Sequence, residues 1–161
     1  MRKTVFIYSS DKGYVSAWGE KLAKKYGEGF TALDIKKGIP PAEIENFDTV
    51  ILASSIHAGS AGKKIRNFCR LNIQLLEKKN IILVLAGLEE KEYGQYFENT
   101  FPMALLERAA GKLWIGGRFD PDQHNFFIRM IMKKIKGQSG GIFSEKWDTV
   151  DEALKLLDLM K

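Results

Sequence analysis

Short runs of consecutive hydrophobic residues alternate along this chain with segments in which hydrophobic residues recur every three or four positions. Uninterrupted apolar runs are typical of buried strands, whereas the longer spacing is typical of helices that face a core. The runs predict five strands, at residues 4–8, 30–35, 48–54, 81–87 and 112–119. We therefore expect an α/β fold, a doubly wound five-stranded parallel sheet with helices on both faces.

The helical spacing is clearest in the first helical segment, where Val15, Trp18 and Leu22 recur on one face before two glycines. Similar spacing predicts five helices in all, at residues 14–26, 65–76, 99–110, 123–136 and 150–160. The segment "KKGIPPAEIENF" contains Pro40 and Pro41 and is predicted to be a loop without regular structure, because proline disrupts hydrogen-bonded elements.

Composition indicates one globular domain over residues 1–161, since 45% of the residues are hydrophobic and 28% are charged. The single cysteine, Cys69, excludes a disulfide within the chain and is expected to be a buried, inert thiol. No apolar run has the length of a membrane span, and "MRKTVFIYSS" lacks the pattern of a signal peptide, so we expect a cytoplasmic protein. The formal net charge of +5 favours an acidic partner or surface.

Three segments, 9–14, 54–61 and 87–94, follow predicted strands and should meet at the carboxyl edge of the sheet. Ligands of open α/β sheets bind at this edge, and the first N–H groups of a helix attract anions. The arrangement predicts a mononucleotide site, with a phosphate at the first loop and a flat ring between the other two. The alternative is an ordinary strand-to-helix turn that holds no ligand.

Three stretches of the chain carry a family resemblance: "YSSDKGYV", "FDTVILASSIHAGSAGKKIRNF" and "HNFFIRMIMKKIKGQSGGIFSEKWDTVDEAL". Together they resemble the flavodoxin-like superfamily, in particular its menaquinone-dependent protoporphyrinogen IX dehydrogenase branch. The resemblance covers most of the chain and is weakest over residues 88–111. It implies a flavodoxin-like fold, FMN as the cofactor, and electron transfer from a porphyrinogen to a membrane quinone.

The resemblance also implies a set of cofactor-binding residues, whereas no catalytic residue and no metal ligand is identified. The first loop is expected to hold the phosphate, the second to flank the isoalloxazine, and the third to pass its pyrimidine edge. The residues are Ser9, Ser10, Asp11, Lys12, Gly13, Tyr14 and Val15 in the first loop, Ser54, Ser55, Ile56, His57, Ala58 and Gly59 in the second, and Ala86, Gly87 and Leu88 in the third.

Two positions depart from the family pattern. Val15 lacks the hydroxyl that usually caps the phosphate, although Lys12 offers a cation, and Ala58 stands where a stacking aromatic residue is expected. Two other residues admit alternatives. His57 is either a solvated loop histidine or a titratable group beside the flavin, and Tyr93 either stacks on the ring or anchors the third loop.

The predicted helix 123–136 is basic and amphipathic. Arg129, Lys133 and Lys136 share one face, the apolar arc is wide, and there is no acid between His124 and Gly137. Such a helix is typical of contact with an anionic membrane surface or an acidic partner. The alternative is a helix that covers the sheet and exposes a solvated basic edge.

Three functions are compatible with these patterns. The first is an FMN-dependent oxidoreductase near the membrane that acts on a small-molecule or quinone substrate, since the flavin would carry the chemistry. The second is a soluble flavodoxin-type electron carrier, which the positive net charge disfavours. The third is an interaction domain of the same fold without flavin. We expect no nucleic-acid partner, and the sequence does not indicate an oligomeric state.

Overall fold

The computed structural model describes residues 2–10, 13–57, 60–88, 90–119, 130 and 142–161 of the chain. The strands are β1 (Thr4–Ser9), β2 (Phe30–Asp34), β3 (Thr49–His57), β4 (Ser60–Ala61), β5 (Asn80–Ala86), β6 (Gly111–Trp114), β7 (Arg118–Phe119) and β8 (Ile142–Phe143). The α-helices are α1 (Tyr14–Tyr26), α2 (Pro41–Glu45), α3 (Lys63–Leu71), α4 (Ile73–Leu76), α5 (Tyr93–Thr100), α6 (Met103–Arg108) and α7 (Thr149–Leu159), and 3-10 helices lie at Ile35–Lys37 and Glu90–Glu92.

Five strands form the predicted parallel sheet, in the order β2-β1-β3-β5-β6. The strand order reverses beside β1, because the chain passes from β1 to β2 on one side and then crosses to β3 on the other. Such a reversal leaves a crevice at the carboxyl edge, where this class of sheet binds ligands. Two antiparallel pairs, β3–β4 and β7–β8, are added to this frame. The predicted fold class is confirmed.

Both faces of the sheet are covered, so the central strands are buried on both sides and appear in the sequence as continuous apolar runs. On one face α1 and α7 pack through Val15, Trp18, Leu22, Val150, Ala153 and Leu157. On the other face α3, α5 and α6 pack through Ile65, Phe68, Cys69, Phe97, Leu105 and Leu106. Burial raises the pKa of the Cys69 thiol to about 12, which agrees with the predicted inert cysteine.

Three segments predicted as loops contain regular structure. Residues 36–47 were expected to be irregular, but α2 begins at Pro41, where a proline costs little because the first helical N–H needs no partner. Strand β3 continues past Ser54 to His57 and turns back into β4, so the first half of the predicted second loop is a strand. The third predicted loop, 87–94, contains the 3-10 helix Glu90–Glu92 and the first residues of α5.

Three predicted elements are interrupted. The helix expected over 65–76 is broken at Asn72, whose side-chain amide donates to the Phe68 carbonyl at 2.9 Å and competes with the helix. The segment expected to be one helix over 99–110 contains only the end of α5, which begins at Tyr93, and all of α6, with a break at Phe101 and Pro102. The strand expected over 112–119 is interrupted by Gly116, which has a φ of 70°.

The predicted helix 123–136 lies outside the described residues, apart from Met130. None of the helices within the described ranges is long and apolar enough to cross a membrane.

Candidate functional site

The three predicted site segments start from neighbouring strands and are aligned by the register of the sheet. Ser9 at the end of β1 pairs with Ser54 of β3, and Ser55 pairs with Ala86 at the end of β5. Residues from all three segments therefore lie in one row across the carboxyl edge of the sheet. This row is the candidate site, and it lies at the reversal of strand order.

The first loop is closed by a hydrogen bond between a backbone N–H and a serine side chain. The Gly13 N–H donates to Ser10 Oγ at 3.1 Å, and Gly13 caps α1 with a φ of 77°, in the left-handed region that favours glycine. A Cβ at Gly13 would meet no atom of the described residues within 4 Å, so the described part of the chain leaves space beside the amino end of the helix. The first N–H groups of a helix have no intrahelical acceptor, which suits this space to an anion. Asp11 and Lys12 lie outside the described residues.

A cation that the sequence analysis missed stands beside this loop. Lys36 Nζ donates to the Ser10 carbonyl at 3.0 Å. Lys36 follows β2, and β2 pairs with β1 in parallel, so the two strands end at the same edge. Only the strand order could have shown that this lysine approaches the first loop.

The side chains of Tyr14 and Val15 point into the core rather than toward the loop. Val15 is fully buried, and the Tyr14 hydroxyl donates to the Ile115 carbonyl at 2.5 Å, just after β6. Trp147 meets the Tyr14 ring edge-on at 5.3 Å, and the Arg118 guanidinium lies 5.8 Å from its centroid. The side chains of Tyr14 and Val15 thus secure α1, and these residues can offer the candidate site only their backbone N–H groups.

Replacing Tyr14 with phenylalanine is expected to lower the free energy of unfolding by about 1 kcal/mol, the usual net value of one hydrogen bond. The loss stays modest because the Ile115 carbonyl also accepts from the Lys146 N–H at 3.1 Å. Burial raises the pKa of Tyr14 to about 12. The unfolded chain therefore releases this proton first, and part of the stability is lost between pH 10 and 12. Urea unfolding between pH 10 and 12 should show that the free energy of unfolding depends less on pH in Tyr14→Phe than in the wild type. An equal pH dependence in the two proteins would contradict the raised pKa of Tyr14.

The second loop is a short hairpin rather than an open loop. Ser54 is buried, and its hydroxyl lies 3.3 Å from the Ser55 carbonyl, to which it donates. Ile56 and His57 pair with the residues of β4, so their backbone is held by the hairpin. Ala58 and Gly59 lie outside the described residues, and both alternatives for His57 stay predictions.

The third loop is packed closely against the end of β6. The Gly87 N–H donates to the Gly116 carbonyl at 2.9 Å, and a Cβ at Gly87 would lie 2.6 Å from the Trp114 ring. Ala86 is buried and Leu88 is half-buried. The Tyr93 ring is 6.2 Å from Trp114 and edge-on to a neighbouring phenylalanine of α5, the contacts of a residue that anchors the loop.

Polar residues near position 146 join the third loop to the amino end of α1. Lys146 forms an ion pair with Glu90 of the third loop, and its backbone carbonyl accepts from the Thr149 hydroxyl. Thr149 in turn accepts from the Trp18 indole N–H at 3.0 Å. The sequence analysis missed this connection, because its members are separated by up to 131 residues.

Comparisons with known proteins agree with this geometry. The family model described as "Flavodoxin domain" matches residues 5–145. Flavodoxin 1 of Bacillus cereus is 16% identical, with a TM-score of 0.50 over 71% of this chain and 84% of that chain. A WrbA-like flavodoxin of Agrobacterium tumefaciens is 17% identical, with a TM-score of 0.51 over 71% of this chain and 77% of that chain. These two likenesses show the fold alone. A search of curated proteins found no match. Since the family model spans most of the chain, this protein belongs to the flavodoxin domain family.

Proposed function

We propose that this chain binds FMN in the row of residues at the carboxyl edge of its sheet and acts as a flavin-dependent oxidoreductase. The observation that carries the proposal is the flavodoxin domain match over residues 5–145, together with the register that aligns the three predicted segments. FMN is the cofactor of this family. When bound, it supplies the hydride and electron transfer, and the protein positions it and excludes competing reactions.

The first loop fits a phosphate. Gly13 leaves open space at the amino end of α1, the Ser10 hydroxyl lies on the loop, and Lys36 lies beside it. These groups, with the first N–H groups of α1, would bind the phosphate. Valine has no hydroxyl and the side chain of Val15 is buried, so the backbone would carry more of the binding than the family pattern implies.

The other two segments would flank the flavin ring. Residues 54–57 are fixed by the pairing of β3 with β1, β4 and β5, and Gly87 is packed on Trp114. A fixed backbone on both sides suits a planar ligand, because little ordering is needed on binding. The chain's own contribution to the reaction is then to orient the ring and to limit access to it.

For the substrate we propose a porphyrinogen as hydrogen donor and a quinone as acceptor. The support is the sequence resemblance over residues 47–68 and 124–154 to the menaquinone-dependent protoporphyrinogen IX dehydrogenases. A soluble electron carrier is the second candidate, and the positive net charge disfavours it, since carriers of this type are usually acidic.

FMN-loaded protein is expected to oxidise protoporphyrinogen IX when a soluble menaquinone analogue is present. Each quinone takes two electrons and two protons from the porphyrinogen, and the product is measured by its porphyrin fluorescence. The control is free FMN at the same concentration. A rate no higher than this control would contradict the dehydrogenase proposal and leave the carrier as the better account.

We also propose that residues 123–136 contact an anionic membrane surface through Arg129, Lys133 and Lys136. The support is the basic amphipathic pattern of the sequence, since the segment lies outside the described residues apart from Met130. Co-sedimentation with anionic vesicles at low salt tests the proposal, and wild-type protein that stays in the supernatant would contradict it.

A further inference from the structure

Strand β2 lies at one end of the parallel sheet and pairs with β1 alone among the described strands. The Thr4 N–H donates to the Gly29 carbonyl at 2.8 Å, which sets the alternation of the parallel ladder. Every second residue from Gly29 onward therefore turns its backbone groups toward β1. The backbone groups of Phe30 and Ala32 point away from β1 and have no hydrogen-bond partner in the described part of the chain. We call this open side of Phe30–Asp34 the β2 edge.

The β2 edge lacks the features that usually keep an open strand from pairing. Lysine, proline or a bulge protects many exposed edges. The strand at the other end of the sheet, β6, carries the exposed Lys112, whereas the FTAL stretch of β2 is uncharged. At the middle of the β2 edge stands Ala32, which is exposed and too small to hold a second backbone at a distance. The edge is therefore open to one further strand.

A cavity of about 370 Å³ opens along one face of β2. Thr31 and Leu33 line it from the strand, and Phe47 lines it from the segment after α2. Leu33 and Phe47 are only half-buried, so part of their apolar surface faces solvent. A strand that paired with the β2 edge would place alternate side chains beside this cavity. The edge thus offers backbone hydrogen bonds together with an adjoining apolar surface.

We propose that the β2 edge pairs with the β2 edge of a second copy of this chain, which joins the two sheets into one. A two-fold axis between identical strands makes the pairing antiparallel. The two copies of Ala32 face each other at the axis, and each Phe30 lies opposite Asp34 of the second copy. In this register every outward backbone group of the two strands has a partner. The proposal does not depend on the flavin or on the proposed function.

Charge favours this register and this partner. Glu28, which precedes β2, lies opposite the 3-10 helix that follows β2 in the second copy, and that helix carries Lys36 and Lys37. All three residues are exposed, and the two-fold axis repeats the contact on its other side. A shift of the axis by one residue toward the amino end of β2 would instead set Glu28 opposite Asp34. Like charges in opposite positions are destabilising, so the charges disfavour the shifted register.

Sedimentation velocity over a range of protein concentrations, without FMN, tests the proposal with matched variants. Wild type should pass from monomer to dimer as the concentration rises. Ala32→Lys sets two lysines opposite each other at the axis and should raise the dissociation constant of the dimer about tenfold or more. The control Ala110→Lys adds the same charge at an exposed alanine beside β6, at the other end of the sheet, and should change it by less than about threefold.

A second pair of variants tests the charge contact. Glu28→Lys turns two attractions into repulsions and should weaken the dimer about tenfold at low ionic strength. High salt should remove this effect. The control is Glu98→Lys, which makes the same change of charge at an exposed residue of α5. Thermal melting of each variant shows whether it is folded.

Amide hydrogen exchange of the wild type locates the contact without a substitution. The N–H groups of Phe30 and Ala32 should exchange more slowly as the protein concentration rises. The N–H groups of Thr31 and Leu33, which face β1, should exchange at the same rate throughout.

Wild-type protein that sediments as a monomer at every concentration would overturn the proposal. Equal weakening by Ala32→Lys and Ala110→Lys would assign the dimer to a different surface, as would a dimer in which the exchange of Phe30 and Ala32 stays unchanged. A monomer whose Phe30 and Ala32 exchange slows only when an unrelated strand-forming peptide is added would assign the β2 edge to a different partner. Each of these results leaves the proposed FMN binding untouched.

Discussion

Replacing Gly116 with alanine is expected to lower the free energy of unfolding by about 3 kcal/mol or more. Gly116 has a φ of 70°, and a Cβ there would lie 1.9 Å from the backbone oxygen of Ser144. The substitution therefore adds a backbone clash to the strain of a left-handed residue. Because the Gly116 carbonyl also accepts from the Gly87 N–H, the displacement should reach the third loop.

Gly13→Ala is the matched control for Gly116→Ala. Gly13 has a φ of 77° in the left-handed region, but a Cβ at this position would meet no described atom within 4 Å, so only the left-handed strain of about 1–2 kcal/mol applies. Urea unfolding of both variants measures the difference. Equal losses in the two variants would show that the close approach of Gly116 to Ser144 is absent in solution.

Replacing Gly13 with valine is expected to weaken FMN binding by roughly 30- to 100-fold, comparable to the loss of one or two hydrogen bonds to a charged group. A β-branched residue is strained at a φ of 77°, and its side chain would occupy the open space beside the amino end of α1. Both effects keep a phosphate away from the backbone N–H groups. The dissociation constant is measured by quenching of flavin fluorescence.

Gly13→Asn separates the two effects in this loop. Asparagine tolerates the left-handed conformation better than valine, so the fold should keep most of its stability while the side chain still fills the space. We expect FMN affinity to fall in this variant although its melting temperature stays close to that of wild type. An unchanged dissociation constant in both variants would mean that Gly13 serves the turn and not the ligand.

The sheet and α1 could be predicted from the sequence because their signals are local. Central strands of a parallel sheet are buried on both sides, so β3 and β5 are nearly continuous apolar runs. The predicted bounds of α1 are also those observed, since its apolar spacing begins after the first loop and ends at Gly27.

Other features depend on partners that are distant in sequence. The break at Asn72 could not be placed because apolar spacing continues on both sides of it, whereas Pro102 is a local helix-breaking signal that the sequence analysis missed. Nothing near Tyr14 shows that its hydroxyl is bound 101 residues away, and only the strand order brings Lys36 to the first loop. The alignment of the three candidate segments at one edge of the sheet was thus predictable, but the contacts of their side chains were not.

Titration of the purified chain with FMN tests the central claim most directly. One FMN should bind per chain, with quenched flavin fluorescence. FMN at about 100 times its dissociation constant should raise the melting temperature by roughly 5 to 10 °C, because binding to the folded state adds about 2.7 kcal/mol to its stability. The claim that this chain binds FMN would be contradicted if saturating FMN left both the flavin fluorescence and the melting temperature unchanged.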